Sequence, residues 1–219
     1  MSEATRVFIV DDHPIVRQGL AELIRHENDL IVCGEAGDAQ TALREFEAAA
    51  PDIAIVDLIL KEGDGFELIK SLLKQKSGVR VLVLTMQDEP FYVERAFRSG
   101  AHGFLTKHEA SDMVPVAIRK IMSGELYVSN RISPRLLKRL LSSDGDGDST
   151  SIARFSDREL QVFHLIGEGL GTKEIANRLN LSVKTIETYR AHIKEKLDLR
   201  DARELVQYAI RWVINNTNV

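Results

Sequence analysis

An α/β doubly wound domain on a five-stranded parallel sheet, followed by an all-α four-helix domain, is the fold class this sequence predicts. Three observations predict it. Five short apolar runs alternate with five helical patterns over residues 1–124. Those runs show little apolar–polar alternation, so helices must cover both faces of the sheet. Residues 152–219 carry helical periodicity throughout, behind a stretch, "SSDGDGDSTS", that has no apolar side chain to bury.

The strands read "RVFIVDD", "LIVCGEA", "DIAIVDL", "RVLVLT" and "HGFLTK". Between them, "PIVRQGLAELIRHE" repeats apolar residues at Ile15, Val16, Leu20, Leu23 and Ile24, with Pro14 placed for a first turn. "DAQTALREFEAAAPD" starts at a capping acid and stops at Pro51. "DGFELIKSLLKQK", "EPFYVERAFRSG" and "SDMVPVAIRKIMSG" complete the set.

Residues 125–151 read as a linker. "SPRLLKRLL" predicts a short helix with Ser133 as cap and Pro134 in its first turn. The alternating acids that follow do not form a calcium loop. Such a loop ends on a glutamate at its twelfth position, and counted from Asp144 that position is Phe155. In the last segment "SDRELQVFHLIGEG" opens with a Ser156–Glu159 capping box. "TKEIANRL", "VKTIETYRAHIKEKL" and "DARELVQYAIRWV" supply three further helices.

Composition bounds the rest. The 219 residues suit one or two domains, and 44% hydrophobic content is ordinary for a globular protein. Aromatics are few, which predicts aliphatic cores. The formal net charge is −4, but residues 152–219 hold eleven basic against nine acidic residues, so the acidity lies in the first domain and the linker. Cys33 is the single cysteine, which excludes an internal disulfide, and its apolar context reads as a small buried hydrophobe. No basic-then-apolar leader opens the chain, and no apolar run nears the ~20 residues of a membrane helix. A cytoplasmic protein with no membrane partner is expected.

Chemistry enters at the strand ends. Asp11 and Asp12 close the first strand, Asp57 the third, Thr85 the fourth and Lys107 the fifth. In open α/β sheets ligands bind beyond those carboxyl ends. Two unit charges about 4 Å apart repel by roughly 4 kcal/mol at an effective dielectric of 20, so three converging carboxylates call for a hard cation. Mg²⁺ prefers oxygen ligands and keeps several waters. A lysine and a hydroxyl opposite it can bind the oxygens of a transferred phosphoryl group, a reaction that is mostly positioning and charge stabilisation. Asp57, alone on a central strand, is the candidate nucleophile.

This constellation, with "GDG" following Asp57, resembles the receiver domain of two-component signalling, a flavodoxin-like fold similar to CheY. The resemblance implies that Asp11 and Asp12 bind Mg²⁺ together with Asp57, and that Ile59 lends the metal a backbone carbonyl. It implies that Asp57 accepts phosphate from a sensor histidine kinase, that Thr85 and Lys107 hold phosphate oxygens, and that Phe104 stands at the position of a switch aromatic that turns inward on activation. The family often has proline where Lys61 and His108 stand here, which bears on loop shape and phosphate lifetime.

A second constellation lies in "TKEIANRLNLSVKTIETYRAHIKEKL". Ile175, Ala176 and Leu179 form one packing stripe, Asn180 suits a turn, and Ser182 suits the next cap. In the following helix Ile186, Ile193 and Leu197 share a face, with Tyr189 beside it. At 100° per residue the opposite face carries Lys184, Thr188, Ala191 and Glu195, bordered by Glu187 and His192. That is a helix-turn-helix with a face suited to a DNA major groove. Lys173, Lys184, Thr185 and Lys194 are candidate phosphate contacts. Glu187 can accept from a cytosine amino group, Thr188 can use hydroxyl or methyl, and Ala191 can touch a thymine methyl. The whole run resembles the LuxR-type DNA-binding domain, in which the last helix commonly supports dimer contacts. Tyr189 replaces a frequent histidine there, and Glu187 sits where some members carry lysine.

Receiver (1–124), linker (125–151) and LuxR-type unit (152–219) together resemble NarL/FixJ-family response regulators. The resemblance implies a transcription regulator activated by phosphorylation of Asp57. It also implies double-stranded promoter DNA and RNA polymerase as partners, a homodimer when phosphorylated, and no multi-turnover enzyme beyond loss of its own phosphate. Two other readings compete with this one. An aspartyl phosphatase would place a second acid two residues past its nucleophile, where Ile59 stands. A constitutive binding protein would not need the intact acid pocket.

Overall fold

The computed structural model describes residues 4–61, 63–86, 90–129, 152, 154–179 and 181–217. The chain divides into two compact units, Met1–Leu140 and Leu141–Val219. The predicted helix over "SPRLLKRLL", the acidic stretch after it and the turn residue Asn180 lie outside the described residues.

The first unit runs β1 (Thr5–Val10), α1 (Pro14–Arg25), β2 (Leu30–Ala36), α2 (Ala39–Ala49), β3 (Ile53–Val56), α3 (Gly65–Gln75), β4 (Arg80–Thr85), α4 (Pro90–Arg98), β5 (Gly103–Thr106), a 3-10 turn (Lys107–Glu109), α5 (Ala110–Met122) and β6 (Tyr127–Val128). The sheet order is β2-β1-β3-β4-β5-β6, with every pair parallel. Local signals set the helix limits. Asp38 caps α2 by accepting from the Thr41 amide, and α2 ends where Ala50 turns left-handed (φ 44°) ahead of Pro51. Asp64 caps α3 through the Phe66 and Glu67 amides.

Alternate strand residues feed two cores. Val7, Ile9, Ile55, Leu82 and Leu84 pack with α1 and α5 side chains such as Ile24 and Ile118. Phe8, Val10, Val56 and Val83 pack with α2, α3 and α4. The first core is aliphatic as expected, apart from Tyr127 at its edge. The second is not. Phe8, Phe46, Phe66, Tyr92 and Phe104 lie in it, with Phe8 and Phe46 edge-on at 5.5 Å. Most aromatics of the first unit are concentrated on one face of its sheet, where each buried ring contributes about 1.5–3 kcal/mol.

Three details depart from the sequence reading. The sheet has a sixth strand, β6, paired to β5 through Gly103 with Tyr127 and Phe104 with Val128, so ordered structure reaches into the segment read as linker. Two residues are too few to show a period. Ile15, expected on the buried stripe of α1, is 84% exposed, because the first turn of α1 stands at the rim beyond the strand ends while Leu20, Ala21 and Ile24 face the sheet. Cys33 is only half-buried. It packs against the core and donates to the Val7 carbonyl, and burial pushes its thiol above the ordinary range.

Four helices of the second unit lie within the described residues: α6 (Asp157–Gly167), α7 (Thr172–Arg178), α8 (Val183–Lys196) and α9 (Ala202–Thr217). The Ser156–Glu159 capping box forms as expected, with the Ser156 amide 2.6 Å from Glu159 Oε2. Helices α6 and α9 cross closely at Gly167, where a Cβ would meet the Ala209 carbonyl oxygen at 2.6 Å. Phe155, Phe163 and Trp212 form an aromatic cluster. Among the described residues no helix is long and apolar enough to cross a membrane.

Candidate functional site

Parallel pairing brings the carboxyl ends of β1, β3, β4 and β5 to one rim. Asp11 and Asp12 follow β1, Asp57 follows β3, Thr85 ends β4, and Lys107 follows β5. Backbone bonds fix their stems: the Asp11 amide donates to the Ala36 carbonyl and the Asp57 amide to that of Val10. The "GDG" after Asp57 has a steric reason. Gly65 begins α3 directly against the end of β3, and a Cβ there would lie 2.5 Å from Leu58 Cα and 2.6 Å from the Asp57 carbonyl oxygen. Only glycine lets α3 start so near Asp57.

Lys107 Nζ lies 2.5 Å from Asp11 Oδ2 and 2.6 Å from Asp57 Oδ2, with the lysine side chain only 8% exposed. The Ile59 amide donates to Asp57 Oδ1 at 3.2 Å. Burial pushes the Asp57 carboxyl above its usual range; Lys107 opposes that and the Asp11 charge reinforces it. Burial also works against the Lys107 ammonium, but the two carboxylates outweigh it and hold its pKa above the ordinary value. Asp12 is buried, and its Oδ1 has no hydrogen-bond partner. The His13 ring nitrogen is 2.6 Å from that oxygen, at ion-pair distance but off a hydrogen-bonding line. A buried carboxylate oxygen without a donor suits a cation, and an all-oxygen trio suits a hard one, so the residues present fit Mg²⁺. Thr85 and Phe104 are fully buried, Phe104 among the aromatics of the second core.

Sequence reasoning missed two groups beside this cluster. His13 Nδ1 is 3.2 Å from Asp11 Oδ1, and the Arg17 guanidinium donates to the Asp11 carbonyl at 2.5 Å. Position was the only available signal: His13 directly follows the acids, and Arg17 sits one helical turn on.

In the second unit Ile175, Ala176 and Leu179 are buried, as are Ile186 and Ile193 on α8. Ser182 caps α8 by accepting from the Thr185 amide at 3.0 Å. Lys173, Lys184, Glu187, Thr188, Ala191 and His192 are exposed, and Thr185 and Lys194 partly so. Glu187, Ala191 and Lys194 line a shallow cleft of about 170 Å³ with Arg190, Ala202 and Leu205. The Thr185 and Thr188 hydroxyls already bond to Ser182 and to the Lys184 carbonyl. His192 leans back toward α6, 3.7 Å from Glu159. Lys196 also turns inward, 2.5 Å from Glu159.

Residues 7–119 match the family described as "Response regulator receiver domain", and residues 153–209 match "Bacterial regulatory proteins, luxR family". The oxygen regulatory protein NreC of Staphylococcus aureus (strain JH9) is 32% identical over 210 residues, covering 94% of this chain and 97% of that protein. The chain belongs to the NarL/FixJ family of response regulators. It thus combines a receiver with a LuxR-type DNA-binding domain, as a transcription regulator. Among solved structures this response regulator is similar to RcsB from Salmonella enterica serovar Typhimurium bound to promoter P1flhDC in the presence of the phosphomimetic BeF₃⁻, with 28% identity, a TM-score of 0.61, and coverage of 94% and 98% of the two chains. It also resembles a LuxR-family two-component response regulator from Aurantimonas sp. SI85-9A1, with 32% identity, a TM-score of 0.58, and coverage of 64% of this chain and all of that one.

Proposed function

We propose that a sensor histidine kinase phosphorylates this response regulator on Asp57 in a Mg²⁺-dependent reaction, and that the modified protein binds promoter DNA in the cytoplasm as a homodimer and acts on RNA polymerase. The observation that carries the reading is the buried cluster itself, Asp57 and Asp11 joined by Lys107, with the Asp12 oxygen unpartnered.

Asp57 Oδ1 or Oδ2 attacks the phosphorus as the P–N bond to the kinase's phosphohistidine breaks and the donor imidazole leaves, and the transferred group's other oxygens need positive charge and donors. Lys107 already sits 2.6 Å from Asp57 Oδ2 and can move to a phosphate oxygen without crossing the pocket. Thr85 at the end of β4 offers a hydroxyl. A Mg²⁺ held by Asp11, Asp12, Asp57 and the Ile59 carbonyl would neutralise charge on both carboxylates and phosphate. Once Lys107 and Thr85 serve the phosphate, β5 carries the change through Phe104. Residues 1–124, 125–151 and 152–219 are the proposed receiver, linker and reading unit. In the last, Lys173, Lys184, Thr185 and Lys194 face phosphates, Glu187, Thr188 and Ala191 face bases, and His192 borders that face. The structure of RcsB bound to a promoter in the presence of phosphomimetic BeF₃⁻ supports the link between the phosphorylated state and promoter binding.

Intact mass after incubation with acetyl phosphate and Mg²⁺ tests it. A phosphoryl adduct on wild type and none on Asp57→Asn is the expected outcome. No adduct, or one on both, overturns it.

A further inference from the structure

His13 stands beside the pocket, and the phosphorylation scheme leaves it without work. Its backbone amide donates to Asp11 Oδ1 at 2.8 Å. Its Nδ1 stands 3.2 Å from that oxygen and 2.6 Å from Asp12 Oδ1. One potential ligand atom from each of Asp11, Asp12, His13 and Asp57 lies within 4.8 Å of every other. That spread is what ligands on opposite sides of one ion can span, since oxygen and nitrogen bonds of about 2.0–2.6 Å put opposed atoms roughly 4–5 Å apart.

We propose that His13 is a nitrogen ligand of this pocket, so that the site takes transition divalent cations of the Mn²⁺ class in preference to Mg²⁺. The inference rests on the reading of the acid cluster as a cation site, and adds that the site is not purely oxygen-lined. Two independent observations point to it. The Asp12 side chain is 95% buried, yet its Oδ1 accepts no hydrogen bond, so it is held for something other than a donor. The His13 side chain is 62% exposed, so the ring is not wedged in place by packing, yet it is aimed at the same two carboxylates.

The chemistry discriminates between ions. Imidazole is a borderline ligand that suits first-row transition metals, while carboxylate and carbonyl oxygens suit Mg²⁺. Mg²⁺ also gives up its waters reluctantly, so a nitrogen in reach adds little to its binding. A transition ion would gain the nitrogen in addition to the oxygens. No redox step is required of the ring: Nδ1 would bind the metal through its lone pair, with the ring proton on Nε2.

The test uses the full chain, with Mn²⁺ and Mg²⁺ as the probes. Titration calorimetry on wild type and His13→Asn measures both affinities. Electron spin echo spectra of bound Mn²⁺ report directly coordinated ¹⁴N. Wild type is expected to show a nitrogen coupling that is absent from His13→Asn and retained in His108→Asn. His13→Asn should lose roughly tenfold in Mn²⁺ affinity, the lower end of what disturbing a metal's ligand sphere costs, with Mg²⁺ affinity nearly unchanged. Asparagine keeps a donor toward the carboxylates, so a role confined to hydrogen bonding would leave Mn²⁺ binding unaltered and the nitrogen coupling absent. That result overturns the inference while leaving the cation site standing, as does an equal loss for both ions. Failure of wild type to bind either ion removes the cation site itself.

Discussion

Two carboxylates, Asp11 and Asp57, share one ammonium, so removing Lys107 leaves them facing each other without a counter-charge. Breaking a buried ion pair by deleting one partner costs about 3–5 kcal/mol. Lys107→Ala is therefore expected to lower the urea midpoint of the first unit markedly, and added Mg²⁺ should restore more stability to the variant than to wild type. An unchanged midpoint would mean that the pocket charges do not interact as the 2.5 and 2.6 Å contacts require. Gly65→Ala is the steric counterpart. Its methyl would meet backbone atoms, which cannot rotate away, so a loss of about 1–3 kcal/mol is expected, together with slower phosphorylation of Asp57. The key groups of the pocket were legible in the sequence because each falls at the end of an apolar run. Gly65 was legible only as part of a motif, since no one-dimensional pattern shows that a Cβ at the start of α3 would lie 2.6 Å from the Asp57 carbonyl oxygen. His13 and Arg17 carried no periodic signal at all.

Capping chemistry decides much at the scale of elements. Glu159 receives the Ser156 amide and the Lys196 ammonium, tying the start of α6 to the end of α8. Burial opposes its charge, but Lys196 and Ser156 hold its carboxyl below the usual range. Glu159→Ala should cost about 0.5–2 kcal/mol as a lost cap, read in the thermal melting of the second unit through Trp212, the chain's one tryptophan. Acid should act on the same unit in two steps. His164 is buried, and desolvation holds its pKa below the ordinary value of about 6.5. A depressed folded-state pKa means the unfolded chain takes the proton first, so the associated stability is complete above pH 6.5 and is lost as pH falls below it. The Glu159 contribution is complete above its unfolded value of 4.5 and is lost lower still. Melting curves from pH 7.5 to 5.5 should shift downward in wild type and stay flatter in His164→Gln. Helices and central strands were legible because caps and periods mark them. Strand β6 was not, because two residues carry no period, and the exposure of Ile15 was not, because a helical stripe does not say where the sheet beneath it stops.

Charge is divided between the units of the whole molecule, with a net acidic chain carrying a slightly basic reading segment. DNA binding is accordingly expected to depend steeply on salt. Lys184→Ala should weaken binding by a similar factor on every sequence and reduce the slope of log K against log salt by about 1, whereas Glu187→Lys should change which operators are preferred. Binding titrations at several salt concentrations separate the two. For Asp57 to switch such binding from 1:99 to 99:1, the phosphorylated pocket must favour one state by about 5.5 kcal/mol.

Strand β6 has a further consequence. Ser129, next after it, donates its amide to Phe104 and its hydroxyl to Glu109, and Glu109 also accepts from Thr106, the neighbour of Lys107. Because β6 runs alongside β5 in the same direction, its end and Ser129 stand at the same rim of the sheet as Asp11, Asp57 and Lys107. Three hydrogen-bonded side chains, Thr106, Glu109 and Ser129, therefore join the neighbour of Lys107 to the end of the outermost strand, and a displacement of that lysine has a short path to the sheet's edge.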